Sequence, residues 1–117
     1  MDKNTESKIQ ELQLLEQNLQ NILMQKQAFQ IELNETDTAL EEVKKSKDEV
    51  YKITGNIMIK SSKDSLLKEL EEKKKLLELR LKAIEKQEAS LAEKATVFRE
   101  EIVKEISETK QSEKTKK

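Results

Sequence analysis

The chain has 117 residues, of which 40% are charged and 34% apolar, and its 23 basic and 24 acidic residues leave a formal net charge of -1. This composition suits long solvated helices and is poor for a globular core, which needs more aromatic and branched side chains. The sequence contains one glycine and no proline, cysteine, histidine or tryptophan. These absences exclude disulfides, thiolate metal sites, histidine or cysteine catalysis and glycine-rich phosphate loops, so we expect neither an enzyme nor a bound metal or cofactor.

Charge and hydropathy narrow the setting further. The balanced charge offers no broad basic surface for nucleic acid. No apolar run approaches the roughly 20 residues that span a bilayer, and the polar start Met1–Thr5 does not resemble a signal peptide. We therefore expect a soluble cytoplasmic protein with no nucleic-acid or membrane partner. Disorder, the competing interpretation of high charge and few aromatics, is disfavoured by the near-zero net charge and by the regular leucine spacing.

The first half of the chain predicts a helix over about residues 5–47. Its apolar residues recur with the 3-4 spacing of a coiled coil, and eight of the ten heptad a and d positions, here called the seam, are apolar. The a positions are Leu12, Leu19, Lys26, Leu33 and Leu40, and the d positions are Leu15, Ile22, Phe29, Thr36 and Val43.

A β-hairpin is predicted over residues 49–60. Two short runs rich in β-branched residues flank Gly55-Asn56, a two-residue turn signal that suits type II′ or type I′. In that register Ile53 faces Met58 and Lys52 faces Ile59. Both faces then carry apolar residues, with Tyr51, Ile53 and Met58 on one and Val50, Ile57 and Ile59 on the other.

A lone two-stranded hairpin is marginally stable in water and exposes both of its edges. We therefore expect this hairpin to pair with the hairpins of other chains in a barrel-like platform. The alternative is an apolar loop that caps the end of its own coiled coil. The residues assigned to assembly are Val50, Tyr51, Ile53, Gly55, Ile57, Met58 and Ile59.

The second half predicts a helix over about residues 62–108, followed by a frayed basic tail over 109–117. Ser61 is the expected N-cap, in a capping box with Asp64. Nine of eleven seam positions are apolar. The a positions are Leu67, Lys74, Leu81, Glu88, Ala95 and Ile102, and the d positions are Leu70, Leu77, Ile84, Leu91 and Phe98.

The two seams match when one helix folds back on the other. In an antiparallel pair the a positions of one helix face the d positions of the other. Each resulting pair, from Leu12 with Phe98 to Leu40 with Leu70, is equidistant from Gly55. The expected fold is mainly α, a long antiparallel two-helix coiled coil with one β-hairpin at the fold-back, and the hairpin joins an inter-subunit β-barrel.

The hairpin and its flanks closely resemble the beta class of prefoldin subunits, in its archaeal form. The hairpin resemblance lies in the pattern Val-Tyr-Lys-x-x-Gly-Asn-Ile-x-Ile-Lys over residues 50–60, and the whole resemblance covers about residues 8–106. The alpha class carries a second hairpin, and this chain has room for only one. The flanking segments that share the likeness are Gln25-Lys26-Gln27, Leu33-Asn34-Glu35-Thr36, Ala39-Leu40-Glu41-Glu42 and Ile84-Glu85-Lys86-Gln87-Glu88.

The resemblance implies an ATP-independent molecular chaperone, a holdase. Two alpha and four beta subunits would form a hexamer whose hairpins build a platform of two β-barrels. Six coiled coils would hold unfolded client proteins at their tips and deliver them to a group II chaperonin. The basic tail, with Lys110, Lys114, Lys116 and Lys117, is then the candidate chaperonin contact.

The expected tip lies at the ends of the helices, about residues 5–19 and 95–110, because these are farthest from Gly55. Apolar residues off the seam occur there, and seam residues join them where the ends fray. The off-seam residues are Ile9, Leu14, Val97, Val103 and Ile106. The candidate client-binding site comprises Ile9, Leu12, Leu14, Leu15, Phe98, Ile102, Val103 and Ile106.

Two other functions fit the same pattern. The chain could be a structural coiled-coil scaffold or tether, oligomerised through its hairpin without binding clients. It could also bind nucleic acid or a membrane surface through the basic tail. The first alternative predicts no role for the tip residues, and the second predicts salt-sensitive binding that needs residues 110–117.

Overall fold

Two long helices with a two-stranded sheet between them make up the described part of the chain. In chain order the elements are α1 (Lys3–Lys45), β1 (Glu49–Thr54), β2 (Ile57–Ser62) and α2 (Lys63–Thr115). The predicted fold class is confirmed in its two long helices and single antiparallel hairpin. Neither helix contains a glycine or a proline, so nothing in their sequences interrupts the backbone hydrogen bonding.

The computed structural model describes the backbone of residues 3–47 and 49–115 and the side chains of residues 3–47 and 49–109. Helix α2 continues past residue 108, where the sequence pattern ended it, to Thr115. Four of the seven residues from 109 to 115 are lysine, glutamate or glutamine, which are good helix formers even where no apolar seam supports them. No helix in the described part of the chain has a stretch long and apolar enough to cross a bilayer.

At the end of α1, hydrogen bonds from Ser46 and Lys63 satisfy backbone carbonyls that the helix leaves unpaired. The Ser46 N–H donates to the Glu42 carbonyl at 3.0 Å, and its hydroxyl donates to the Val43 carbonyl at 2.7 Å. Lys63 reaches across and donates its Nζ to the carbonyls of Lys44 (2.9 Å) and Ser46 (3.0 Å). A cation on exposed carbonyls at a helix C-terminus also complements the helix dipole.

The N-cap of α2 is Ser62, and the predicted capping box of Ser61 with Asp64 is wrong by one residue. The Ser65 N–H donates to the Ser62 hydroxyl at 3.2 Å. Ser61 is instead paired with Val50 in the β-ladder, which extends to Ser62, two residues beyond the predicted end of the hairpin. Asp64 lies in the first turn of α2, where a carboxylate favours the positive end of the helix dipole.

The chain divides into two compact units. The first unit is Met1–Gln25 with Ile84–Lys117, and the second is Lys26–Ala83. Each contains one segment of α1 and one of α2, and the second also contains the hairpin.

Within the first unit the two helical segments are antiparallel. Thr5 bonds to Glu105 near one end of the unit, and Glu16 pairs with Arg99 at 3.0 Å farther along α1. Thr5 and Glu105 are equidistant from residue 55. The register predicted from the two seams is therefore present in this unit.

Within the second unit the same antiparallel register holds. Asp37 pairs with Lys74 at 2.9 Å, and Val43 belongs to a cluster that includes Leu67. Thr36, a polar seam residue, is buried and donates its hydroxyl to the Glu32 carbonyl at 2.8 Å. Its burial leaves no unsatisfied donor, because the hydroxyl uses its own helix backbone.

Burial follows the seam in both units but is rarely complete. Two helices cover the seam between them but leave both of its flanks open, so large side chains such as Leu15 and Phe98 remain half-buried. The buried apolar residues are Ile22, Leu40, Val43, Val50, Leu66, Leu77, Ile84, Ala95 and Ile102. All of them except Val50 and Leu66 are seam positions.

The hairpin has the register that the sequence predicts. Ile53 pairs with Met58 and Lys52 with Ile59 across a turn at Gly55-Asn56. Gly55 has a φ of 62°, and no non-glycine residue in the described chain has a positive φ. Type I′ needs positive φ at both central residues and type II′ only at the first, so the turn is of type II′.

Gly55→Ala should destabilise the hairpin by about 1–3 kcal/mol, because alanine is strained at this backbone angle. An added Cβ meets no atom within 4 Å, so the cost comes from the backbone and not from a clash. Asn56→Ala is the matched control, since its φ is not positive. Thermal unfolding of both variants by circular dichroism measures the difference. Equal midpoints for the two variants would contradict the turn assignment.

Candidate functional site

The hairpin presents a large apolar surface that its own chain does not cover. Ile53, a residue of strand β1, is 71% exposed. The sheet has two strands, so each strand pairs along one edge only within the described chain. We call the exposed apolar set the hairpin surface, and it consists of Tyr51, Ile53, Ile57, Met58 and Ile59.

Val50 is the one apolar hairpin residue that turns inward. It is 7% exposed and packs in a cluster with Val43 and Leu66, against which Leu67 and Leu70 also lie. Val50 therefore packs as expected for a hairpin that caps its own coiled coil. The residues of the hairpin surface do not. Leu66 was missed by the heptad pattern because it is off the seam, and its position beside the hairpin was the only signal for it.

A polar contact fixes the same side of the hairpin to α2. Lys52 forms an ion pair with Glu69, and both side chains are partly exposed. Lys60 and Glu49 pair across the strands at 3.4 Å on the other face. Exposed pairs of this kind add little to stability.

The first unit contains an apolar groove, here called the terminal groove. Its volume is about 830 Å³. Leu15 and Phe98 of the seam are half-buried in it, while Leu14 and Val97 are largely exposed and flank them. The polar residues that line the groove are Glu11, Asn18, Ser90, Glu93, Lys94 and Glu101.

The groove gathers three of the predicted client-binding residues, Leu14, Leu15 and Phe98. It also includes Val97, which the sequence showed as an off-seam apolar residue but which was not assigned to the site. Leu14 and Val97 approach the same groove because each lies one position before a seam residue, on helices that run in opposite directions.

The remaining predicted client-binding residues lie outside this groove. Val103 is 64% exposed, and Ile9, Leu12 and Ile106 are half-buried. Ile102 is only 8% exposed, because it is buried in the seam, and it is not accessible to a client. The prediction that Ile102 binds clients assumed that the helix ends fray and expose it.

A polar cluster closes the seam beside Ile102, and we call it the terminal clasp. Thr5, 3% exposed, donates its hydroxyl to Glu105 Oε2 at 2.6 Å. Lys8 Nζ lies 2.5 Å from Glu105 Oε1 and 3.4 Å from Glu101 Oε2. The clasp lies outside the predicted seam, which began at Leu12. Extending the heptad back by one repeat places Thr5 at position a and Lys8 at position d.

The clasp changes the acid–base behaviour of its lysine. The hydrogen bond to Glu105, aided by the charges of Glu105 and Glu101, raises the pKa of Lys8 above its usual 10.5, although partial burial opposes the shift. A raised pKa means that the contact stabilises the folded unit at pH below 10.5. This contribution is lost as the pH rises through the higher folded-state pKa.

Glu105→Gln should return the pKa of Lys8 toward its ordinary value, since the hydrogen bond to Glu105 is the largest cause of the shift. Glu101→Gln, which removes a smaller contribution, should lower the pKa less. An NMR titration of the Lys8 side chain in the three proteins tests the order. A larger effect from Glu101→Gln would contradict the clasp geometry.

The basic tail lies largely outside the described residues. Lys110 and Lys114 lie on helix α2 by their backbone, and their side chains are outside the described set. Lys116 and Lys117 lie outside the described residues altogether.

Among the residues that the structure does describe, no group of three or more acidic, histidine or cysteine side chains is arranged to hold a metal ion.

Sequence comparison places the chain among relatives of one kind. A family model described as prefoldin subunit matches residues 6–114. A prefoldin subunit beta of Pyrobaculum islandicum is 44% identical over 101 residues, or 85% of this chain and 81% of that protein. A prefoldin subunit beta of Archaeoglobus fulgidus is 42% identical over 88 residues, or 74% of this chain and 76% of that protein.

Structural comparison agrees with the sequence comparison. The crystal structure of the prefoldin beta subunit from Thermococcus strain KS-1 matches with a TM-score of 0.80 and 37% sequence identity. The match covers 86% of this chain and 90% of that one. The resemblance first seen in the hairpin pattern therefore extends to sequence and fold over most of the chain.

Proposed function

Because the chain belongs to the prefoldin family of chaperone subunits, we propose that it is a beta subunit of an ATP-independent holdase. The observation that carries the proposal is the pairing of two exposed apolar surfaces with a fold that has little interior of its own. The hairpin surface serves assembly, and the terminal groove with its neighbours serves client binding. The chain then acts as one arm of a larger complex in the cytoplasm.

The assembly half of the proposal rests on the hairpin surface. Five large apolar side chains are exposed on twelve residues of strand, which no isolated soluble hairpin would keep without partners. Unpaired strand edges add hydrogen-bonding groups that a neighbouring hairpin can satisfy. We propose that four chains of this kind and two longer alpha subunits join their hairpins into β-barrels.

Ile53→Asp should reduce the native mass of the complex, because it places a charge in the hairpin surface. Ile53 is so exposed in its own chain that the fold of the single chain should survive. Ile31→Asp is the matched control, since Ile31 is similarly exposed on helix α1. Native mass spectrometry of the complex purified with its longer partner subunit gives the readout.

Two results would argue against assembly through the hairpin. A full-mass complex from Ile53→Asp would remove the hairpin surface from the interface. A homodimer or an open polymer from the unaltered chain would favour the scaffold alternative over the hexamer.

The client-binding half rests on the apolar side chains of the first unit. Leu14 and Val103 are both more than half exposed, and the terminal groove lies beside Leu14. Exposed apolar side chains bind the apolar residues of unfolded chains without a sequence requirement. We propose that these surfaces form the coiled-coil tips that hold clients for delivery to a group II chaperonin.

The double variant Leu14→Ser/Val103→Ser should weaken capture of a chemically unfolded protein by about tenfold, from the loss of buried apolar area on binding. Leu79→Ser provides a control, because Leu79 is 66% exposed in the second unit. The readout is the concentration of complex that suppresses aggregation, measured by light scattering. Unchanged capture with the complex intact would exclude these residues from the client site and favour a scaffold.

A further inference from the structure

The terminal groove has an electrostatic character that its apolar lining does not require. Three carboxylates line it, from Glu11, Glu93 and Glu101, against the single cation of Lys94. Exposed charges beside an apolar groove bias the charge of whatever binds there.

Two of these carboxylates have no partner among the side chains that the structure describes. Glu101 lies 3.4 Å from Lys8 in the terminal clasp. Neither Glu11 nor Glu93 forms an ion pair or a side-chain hydrogen bond with any side chain that the structure describes. By contrast Glu16, in the same unit, is neutralised by Arg99 at 3.0 Å.

The volume of the groove limits the size of its occupant. A cavity of about 830 Å³ lies within the range of roughly 300–1,000 Å³ that holds a small ligand, so it accommodates a few side chains and not a folded domain. Its openness along the two helices leaves room for the backbone of an extended chain to pass over Leu14 and Val97. The lining is therefore suited to a short apolar segment whose neighbouring residues reach the carboxylates.

We propose that the terminal groove selects, among unfolded segments, those in which large apolar residues adjoin lysine or arginine. This inference rests on the proposed client-binding function and names the substrate class of that site. The apolar side chains of the segment enter between Leu15 and Phe98, and its cations lie against Glu11 and Glu93. Lys94 opposes segments of high positive charge but is outnumbered by the carboxylates.

The expected preference is modest, because the pairs form at a solvated rim. Exposed ion pairs of this kind change an equilibrium by about 1.7- to 3-fold each, so two carboxylates give a preference of about threefold to tenfold. The preference should fade as salt rises from 0.1 M to 1 M, when the screening length shortens from about 10 Å to about 3 Å.

The test uses the purified complex and two fluorescent peptides with the same leucine and phenylalanine positions. One peptide carries lysine at every other position, and its match carries glutamate there. Fluorescence anisotropy gives the dissociation constant of each. We expect the lysine peptide to bind about threefold to tenfold more tightly at low salt.

Two sets of variants assign the preference to the groove. Glu11→Gln/Glu93→Gln should bring the two dissociation constants close together. Glu85→Gln/Glu100→Gln removes the same charge from exposed positions of the first unit outside the groove and should leave most of the preference intact. Leu14→Ser/Val97→Ser should weaken both peptides by the same factor.

The outcomes separate this inference from the function on which it rests. Equal binding of both peptides by the unaltered complex, or equal loss of preference in the two carboxylate variants, would overturn the charge selection and leave client binding standing. Unchanged binding in Leu14→Ser/Val97→Ser would move the site away from the groove. If neither peptide binds and unfolded protein is also not captured, the proposed function itself is overturned.

Discussion

The positive φ of Gly55 is the constraint on which the arrangement of this chain depends. It permits a two-residue type II′ turn, and that turn sets the register of β1 against β2. In the second unit the helical segments that follow from the hairpin meet in the matching register, with Val43 in one cluster with Leu67. In the first unit Thr5 and Glu105 are again equidistant from Gly55.

A fold of two helices and two strands has too few layers to bury its apolar residues. Large seam residues stay half-buried, and the hairpin surface stays open, because each has a partner on one side at most. In a globular domain such exposure would be a liability for aggregation. In the proposed function it is the means by which chains assemble and by which clients are held.

Charge has a different role in each part of the molecule. The hydrogen-bonded pair of Lys8 with Glu105 lies at a closed seam and fixes which residues are covered there, Ile102 among them. Glu11 and Glu93 lie open beside an apolar groove and are available to a bound chain. In the proposed function, the same residue types on the same two helices act as an internal closure at the clasp and as a recognition element at the groove.

The helix–hairpin–helix order, the turn at Gly55-Asn56 and the pairing of the strands all follow from the order of residues along the chain. Helix and strand periodicities and turn preferences are local properties, and two periodic seams can be matched without coordinates. The family resemblance also followed from short local patterns. These features needed only the order of residues along the chain.

The tertiary structure alone decided how side chains from different elements share space. It moved the N-cap from Ser61 to Ser62, because the ladder extends to the end of β2, and it buried Leu66 beneath Val50. It also joined Leu14 to Val97 in one groove and covered Ile102. Each of these depends on side-chain contacts between two elements, which the matching of the two seams does not by itself specify.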